Sequence, residues 1–212
     1  MTPVRSFRLI ALGLVGVTTL AACGANSNPL RVSRSACPAV AVLGYAGDTT
    51  LFSPATSRDA DAIDITATIT NLRSNCYSNE GRIVSQATYD VIATRTNAGP
   101  ARSVTLPVFS TVMRAGDRIV SKDVGGVTLS FPAGSARAEA SASARADISE
   151  AAASLPDAIN QEIDKRRKPG DPDAALDPLS RPAVRDAVRE ASFELLVGFN
   201  LDERDLAYNV AK

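Results

Sequence analysis

Residues 63–70 alternate without a slip: Ile63, Ile65, Ala67 and Ile69 are apolar, and Asp64, Thr66, Thr68 and Thr70 are polar. A period of two carried by β-branched residues predicts a half-buried strand. Other runs have the same texture. Pro38–Gly44 is a short apolar run closed by Gly, and 49–54 is a weaker strand stopped by Pro54. Residues 82–96 are marked by Val84, Tyr89, Val91 and Ile92, with a bulge expected where alternation slips at Ser85–Ala87. Residues 101–114 alternate Val104, Leu106 and Val108, and Pro107 places that strand at an edge or a break. Residues 118–131 bring Ile119, Val127, Leu129 and Phe131, and 193–199 bring Phe193, Leu195, Val197 and Phe199. The segments 73–81, 97–100 and 115–117 read as turns or loops, the first carrying Cys76.

Residues 136–147 are ambiguous. Alanine occupies every second position, opposite Arg137, Glu139, Ser141, Ser143, Arg145 and Asp147. Composition favours a helix, because Ala is the best helix former. Periodicity favours a strand, because a helix would spread those polar residues around its circumference. The strand reading is adopted. Residues 151–190 differ, with several prolines and much charge. Pro156–Arg167 and Arg181–Glu190 predict two short helices, the second with Pro182 at its first position. Ile159 and Ile163, like Val184 and Val188, make narrow apolar stripes expected to pack on the sheets, or else to dock a partner. One more helical turn is expected at 202–209. The sum is a mainly β chain: an antiparallel sandwich with a helical insertion (151–190) before its last strand. It resembles immunoglobulin-like or fibronectin-like sandwiches in general; with no Trp, the antibody-domain hallmark is missing.

The N-terminus has its own pattern. Arg5 and Arg8 precede an uncharged stretch, Leu9–Leu20, and the small residues Ala21 and Ala22 then lead to Cys23. Positive, apolar, small is the order of a signal peptide. The stretch is shorter than the roughly 20 residues a spanning helix needs. Leu20-Ala21-Ala22-Cys23 resembles the lipobox of bacterial lipoproteins. That resemblance implies a diacylglyceryl group on the Cys23 thiol, cleavage after Ala22, and anchorage of the mature chain in a membrane. Gly24, where Asp would signal inner-membrane retention, implies an outer-membrane location facing the periplasm. The C-terminal 198–209 is similar to the tails of envelope lipoproteins and implies no activity. Residues 23–36 read as a flexible tether, and 37–150 and 191–212 as the folded body.

Composition narrows the chemistry. Cleavage after Ala22 removes two of 23 basic residues and none of 23 acidic ones, leaving a net charge of −2. That is not the footprint of a nucleic-acid binder. Besides Cys23 there are Cys37 and Cys76; in an oxidising compartment they predict one disulfide, Cys37–Cys76. With no His in the chain, Ser-His-Asp and Cys-His catalysis are excluded. The same lack, with both remaining thiols bonded, argues against zinc. Two acid clusters, Asp59/Asp61/Asp64 and Asp171/Asp173/Asp177, have oxygen ligands that calcium could use, but read first as solvated loop acids. No catalytic residue, metal or cofactor is assigned. The expectation is a lipid-anchored, non-catalytic envelope protein. Its partners would be the membrane, through the anchor, and an envelope protein. A small-ligand or glycan-binding lipoprotein is the alternative.

Overall fold

The computed structural model describes residues 34–165 and 167–212; the leader, Cys23 and the tether through Ser33 lie outside the described residues. Eight strands form two four-stranded sheets: β1 (Ala39–Val42), β2 (Asp48–Phe52), β3 (Ile63–Asn79), β4 (Arg82–Arg95), β5 (Arg102–Arg114), β6 (Arg118–Phe131), β7 (Arg137–Ser149) and β8 (Phe193–Phe199). One sheet has the order β1-β8-β5-β6, the other β2-β3-β4-β7. All pairings are antiparallel except β1 with β8, which run parallel. The inner faces share one core. Ile65, Ala67, Val91 and Ala146 come from one sheet, and Leu106, Leu129, Phe131, Leu195 and Phe199 from the other.

Among the described residues there are four short α-helices besides two single 3-10 turns: α1 (Glu150–Ala153), α2 (Asp157–Asp164), α3 (Pro182–Glu190) and α4 (Glu203–Ala211). Residues 137–149 are a strand, so periodicity outweighs the helix propensity of alanine there: Ala138, Ala144 and Ala146 face the core. The apolar stripes of α2 and α3 do not join the sheet core. Ile163 and Val184 are buried but stand outside the sheet core cluster, and α2 and α3 pack on one another. Ion pairs hold this insertion: Glu162 with Arg167 (2.9 Å) and Arg181 (2.7 Å), and Asp173 with Arg181 (2.9 Å) and Lys165 (3.2 Å).

Three further expectations change. The segment 73–79 is not a loop: β3 runs on to Asn79, and Glu80 (φ 49°) and Gly81 (φ 74°) make the tight turn into β4. Two consecutive residues at positive φ suit a two-residue hairpin turn. The bulge lies in β3, not at Ser85–Ala87; between Thr70 and Arg73 two residues oppose one, and Asn71 takes φ 51°. Alternation slips in β4 for another reason, because Val84 is buried as well as its neighbours Ile83 and Ser85. Finally, β5 lies inside its sheet, between β8 and β6. Pro107 fits because β8 stops pairing at Val108, so the missing donor is not needed; its carbonyl accepts the Asn200 N–H at 2.9 Å.

The chain joins the body at its lower end, beside Phe193, α1 and the end of α3. There the Arg34 guanidinium donates to the carbonyls of Ala153 (2.8 Å) and Ala191. The upper end is made of the loops 43–47, 96–101 and 132–136, with α4 alongside.

Candidate functional site

The predicted disulfide is present. Cys37 and Cys76 are bonded, with Cα atoms 6.1 Å apart. Cys37 lies two residues before β1, and Cys76 lies inside β3, opposite Ser85 of β4. The bond therefore ties the segment before β1 to the second sheet, across from the sheet that β1 joins. Arg34 adds polar contacts on the same segment. Burial pushes its guanidinium pKa below the ordinary arginine value. Cys23 lies outside the described residues.

Five of the six candidate acids have other partners. Asp64 accepts a two-pronged hydrogen bond from Arg102, at 2.8 and 2.7 Å. Asp59 pairs with the Ser57 hydroxyl at 3.0 Å. Asp173 sits among Lys165, Arg167 and Arg181, and the hydrogen bond from Lys165 is the main cause of its depressed pKa. Asp177 caps a turn by accepting the Leu179 N–H at 2.9 Å, and Asp171 accepts the Lys168 N–H at 2.7 Å. Among the described residues no group of three or more His, Cys, Asp or Glu is placed to hold a metal. No helix among them is long and apolar enough to cross a membrane.

What pattern reading missed is the state of β6. Its first nine residues, Arg118–Gly126, are all exposed, and only Val127, Leu129 and Phe131 enter the core. A strand in a two-sheet stack ordinarily buries one face. Here Ser121, Asp123 and Gly125 point toward the other sheet and are not covered, while Ile119 (66% exposed), Val120 and Val124 add apolar surface. β6 is also an outer strand, so its second row of main-chain groups has no strand partner among the described residues. On the same flank β7 is the outer strand of the other sheet, and its facing residues Ala140 and Ala142 are only half-buried. A small cleft of about 170 Å³ opens between the sheets there, lined by Tyr89, Val108, Ser110, Asp123, Gly125 and Ser143. Burial raises the pKa of the Tyr89 phenol. Long unpaired edges of this kind accept a further strand. The sequence signal was the pair Gly125-Gly126, which leaves little side chain to pack.

No protein family, curated protein or solved structure matches the chain.

Proposed function

We propose that this protein is a lipid-anchored, non-catalytic binding module of the bacterial envelope, of immunoglobulin-like or fibronectin-like architecture. In this reading Cys23 carries the acyl chains in the outer membrane and the body faces the periplasm. The tether from Cys23 to Arg34 keeps the lower end within about 40 Å of the bilayer, from the reach of about 3.3–3.6 Å per extended residue. Two or more acyl chains hold firmly where one holds marginally. The partner is a protein that adds an extended segment to β6.

The observation that carries the reading is the nine-residue exposed stretch of β6 at an open sheet edge. Main-chain groups there supply affinity for any extended chain, and the apolar Ile119, Val120 and Val124 give it a preference for alternating apolar residues. The commitment of Asp64 to an arginine, of Asp173 to a lysine and an arginine, and of Asp177 to a turn cap supports a role without chemistry.

Photo-cross-linking in the native host tests this. A benzophenone amino acid at Val120 or Val124 is expected to give a discrete protein adduct, and one at Gln86, on the outer face of β4, is expected to give none. Absence of any adduct along β6, in cells where the protein is processed and membrane-bound, would refute the proposal.

A further inference from the structure

A groove on the outer face of the β1-β8-β5-β6 sheet has the chemistry of a ligand site. It encloses about 340 Å³ between the loop after β1, the exit of β8, and α4. That size falls in the range of small-molecule pockets. Its floor is Phe109 and Ala46, both buried, and it is bordered by Phe199, whose side chain belongs to the core between the sheets. Its rim is Leu43, Tyr45, Leu206 and Val210, all exposed, Tyr45 by 62% and Val210 by 57%. Gly198 lets the floor form: a Cβ there would meet the Phe109 ring at 2.9 Å and the Ala46 side chain at 3.0 Å.

The rim residues are not needed to seat α4. The other side of that helix does so. Asn209, buried, donates from Nδ2 to the carbonyls of Tyr45 and Asp48, both at 2.8 Å. Tyr208 packs edge-on against Phe52 at 5.1 Å, and Asp205 pairs with Arg58 at 2.8 Å. Leu206 and Val210, four residues apart, share a face and are left over the groove. A helix pinned by polar contacts, with an exposed apolar stripe over a concave apolar floor, presents a preformed wall to a ligand.

One charged side chain lines the groove. Lys122 of β6 reaches over the Phe109 ring, 4.8 Å from its centroid, and its Nζ lies 3.4 Å from Asn200 Oδ1. Among the described residues it has no carboxylate partner, so its charge is open to an anion. Apolar walls along the groove and one cation beside a neutral amide fit an alkyl chain with a negative head. They disfavour a cationic amphiphile. The surface is concave, so an intact bilayer does not reach the floor, whereas a single chain does.

We propose that this groove binds a free long-chain fatty acid, its chain along Phe109, Leu206 and Val210 and its carboxylate at Lys122. This goes beyond the β6 edge reading and stands without it, because the groove lies on a sheet face and not on the strand edge.

The test uses the full-length protein in its own membranes and a fatty acid carrying a diazirine on its chain. After irradiation, label is expected on the tryptic peptides 35–58 and 205–212, which carry the rim. Leu206→Glu and Val210→Glu, both at exposed positions, are each expected to cut that label at least ten-fold. Lys122→Gln is expected to reduce it several-fold, and to erase the preference for the acid over the matching fatty alcohol. Label spread over other peptides, or unchanged by both glutamate substitutions, overturns the site. Equal labelling of wild type by acid and alcohol overturns the carboxylate assignment.

Discussion

Asn71 turns Cys76 toward Cys37. Counting from Ile65, Ala67 and Ile69, the inward positions of β3 would be odd-numbered, and Cys76 would face outward. The bulge at Asn71 places two residues opposite one and reverses the parity, so Ser74 and Cys76 stand opposite the inward-facing Ala87 and Ser85. A one-residue slip in a strand moves every later side chain to the other face. Asn71 tolerates its φ of 51° because a short amide side chain suits the left-handed region. Its Nδ2 donates to Asp90 Oδ2 at 2.6 Å, and its Oδ1 accepts from Arg73 Nε at 3.0 Å.

Asn71→Val is therefore expected to disturb more than one residue. A β-branched side chain at positive φ costs about 1–3 kcal/mol. Part of the population is expected to lose the bulge, and with it the Cys37–Cys76 bond. Closing a 39-residue separation contributes about 4 kcal/mol by loop-closure entropy. Thiol titration under mild oxidant should show free cysteine in Asn71→Val and none in Asn71→Gly. Full oxidation in both variants would disconnect the bulge from the bond.

The same two residues mark how far pattern reading reaches. Strict alternation located β3, and the cysteine pairing followed from compartment and count. The register of Cys76 was not legible, because a bulge depends on one residue's backbone angle and leaves the composition unchanged. Alanine alternation identified β7 against local propensity because half of those alanines face the core. The apolar stripes of α2 and α3 were legible, but not their destination; Ile163 and Val184 are buried outside the sheet core cluster, in an insertion held by the ion pairs of Glu162 and Asp173. The exposed stretch of β6 was hidden, since Ile119 reads as a strand-marking apolar residue like Val127 and Leu129 until the topology sets it at an uncovered edge.

Arg95 closes the upper end of the body. It is 4% exposed, and its guanidinium lies 5.2 Å from the centroid of the Phe131 ring. It donates to four main-chain carbonyls: Ser135 (2.8 Å), Pro100 (2.8 Å), Gly99 (3.1 Å) and Pro132 (3.0 Å). Those carbonyls belong to the β4–β5 and β6–β7 connections, both of which cross between the sheets. Arg95→Met leaves them unpaired and is expected to cost about 3–5 kcal/mol. Arg95→Lys keeps the charge without the planar fork, and is expected to lose somewhat less. Urea unfolding measures both. A methionine variant within about 1 kcal/mol of wild type would remove the guanidinium from the account of stability.

Ser85 lies opposite Cys76 with no exposed surface, and its hydroxyl has no hydrogen-bond partner among the described residues. A buried hydroxyl left unpaired costs about 1–3 kcal/mol. Ser85→Ala is thus expected to be neutral or to stabilise by about 1 kcal/mol. Destabilisation beyond about 1 kcal/mol in urea would mean that an ordered water satisfies the oxygen.

Stability should respond to acid and to little else near neutrality. Hydrogen bonds from Arg82 to Asp147, from Arg118 to Glu190, from Lys165 to Asp173, from the Asp205 N–H to Asp202, and from Asn71 and Ser141 to Asp90 hold these carboxyls below their ordinary pKa values. A depressed folded pKa means that the unfolded chain takes up protons first as pH falls. The contribution is complete above about pH 4–5, where the unfolded carboxyls are ionised, and disappears as pH drops through the lower folded values. The chain has no His, so no imidazole titrates between pH 5 and 8. The melting temperature should be level from pH 5 to 8 and fall below about pH 4. The drop should be shallow and weaker in high salt, because these pairs are solvent-exposed. A transition centred near pH 6–7 would contradict the assignment.

The proposed location rests on one thiol. Cys23→Ala is expected to abolish incorporation of labelled palmitate and to leave unprocessed precursor, two kilodaltons or so heavier than the mature polypeptide, by the roughly 110 Da per residue of the 22 leader residues. The folded body should be unaffected, because Cys37 and Cys76 still pair with each other and Arg34 still binds the lower end. Two measurements separate these effects: acyl labelling in the native host, and the melting temperature of the released body. Palmitate incorporation that survives Cys23→Ala would move the anchor to another residue and remove the argument that the lower end faces the bilayer. If labelling is lost but the β6 cross-link persists, partner binding does not depend on membrane attachment. If both are lost together, the anchor supplies the local concentration that a bare strand edge needs to find its partner.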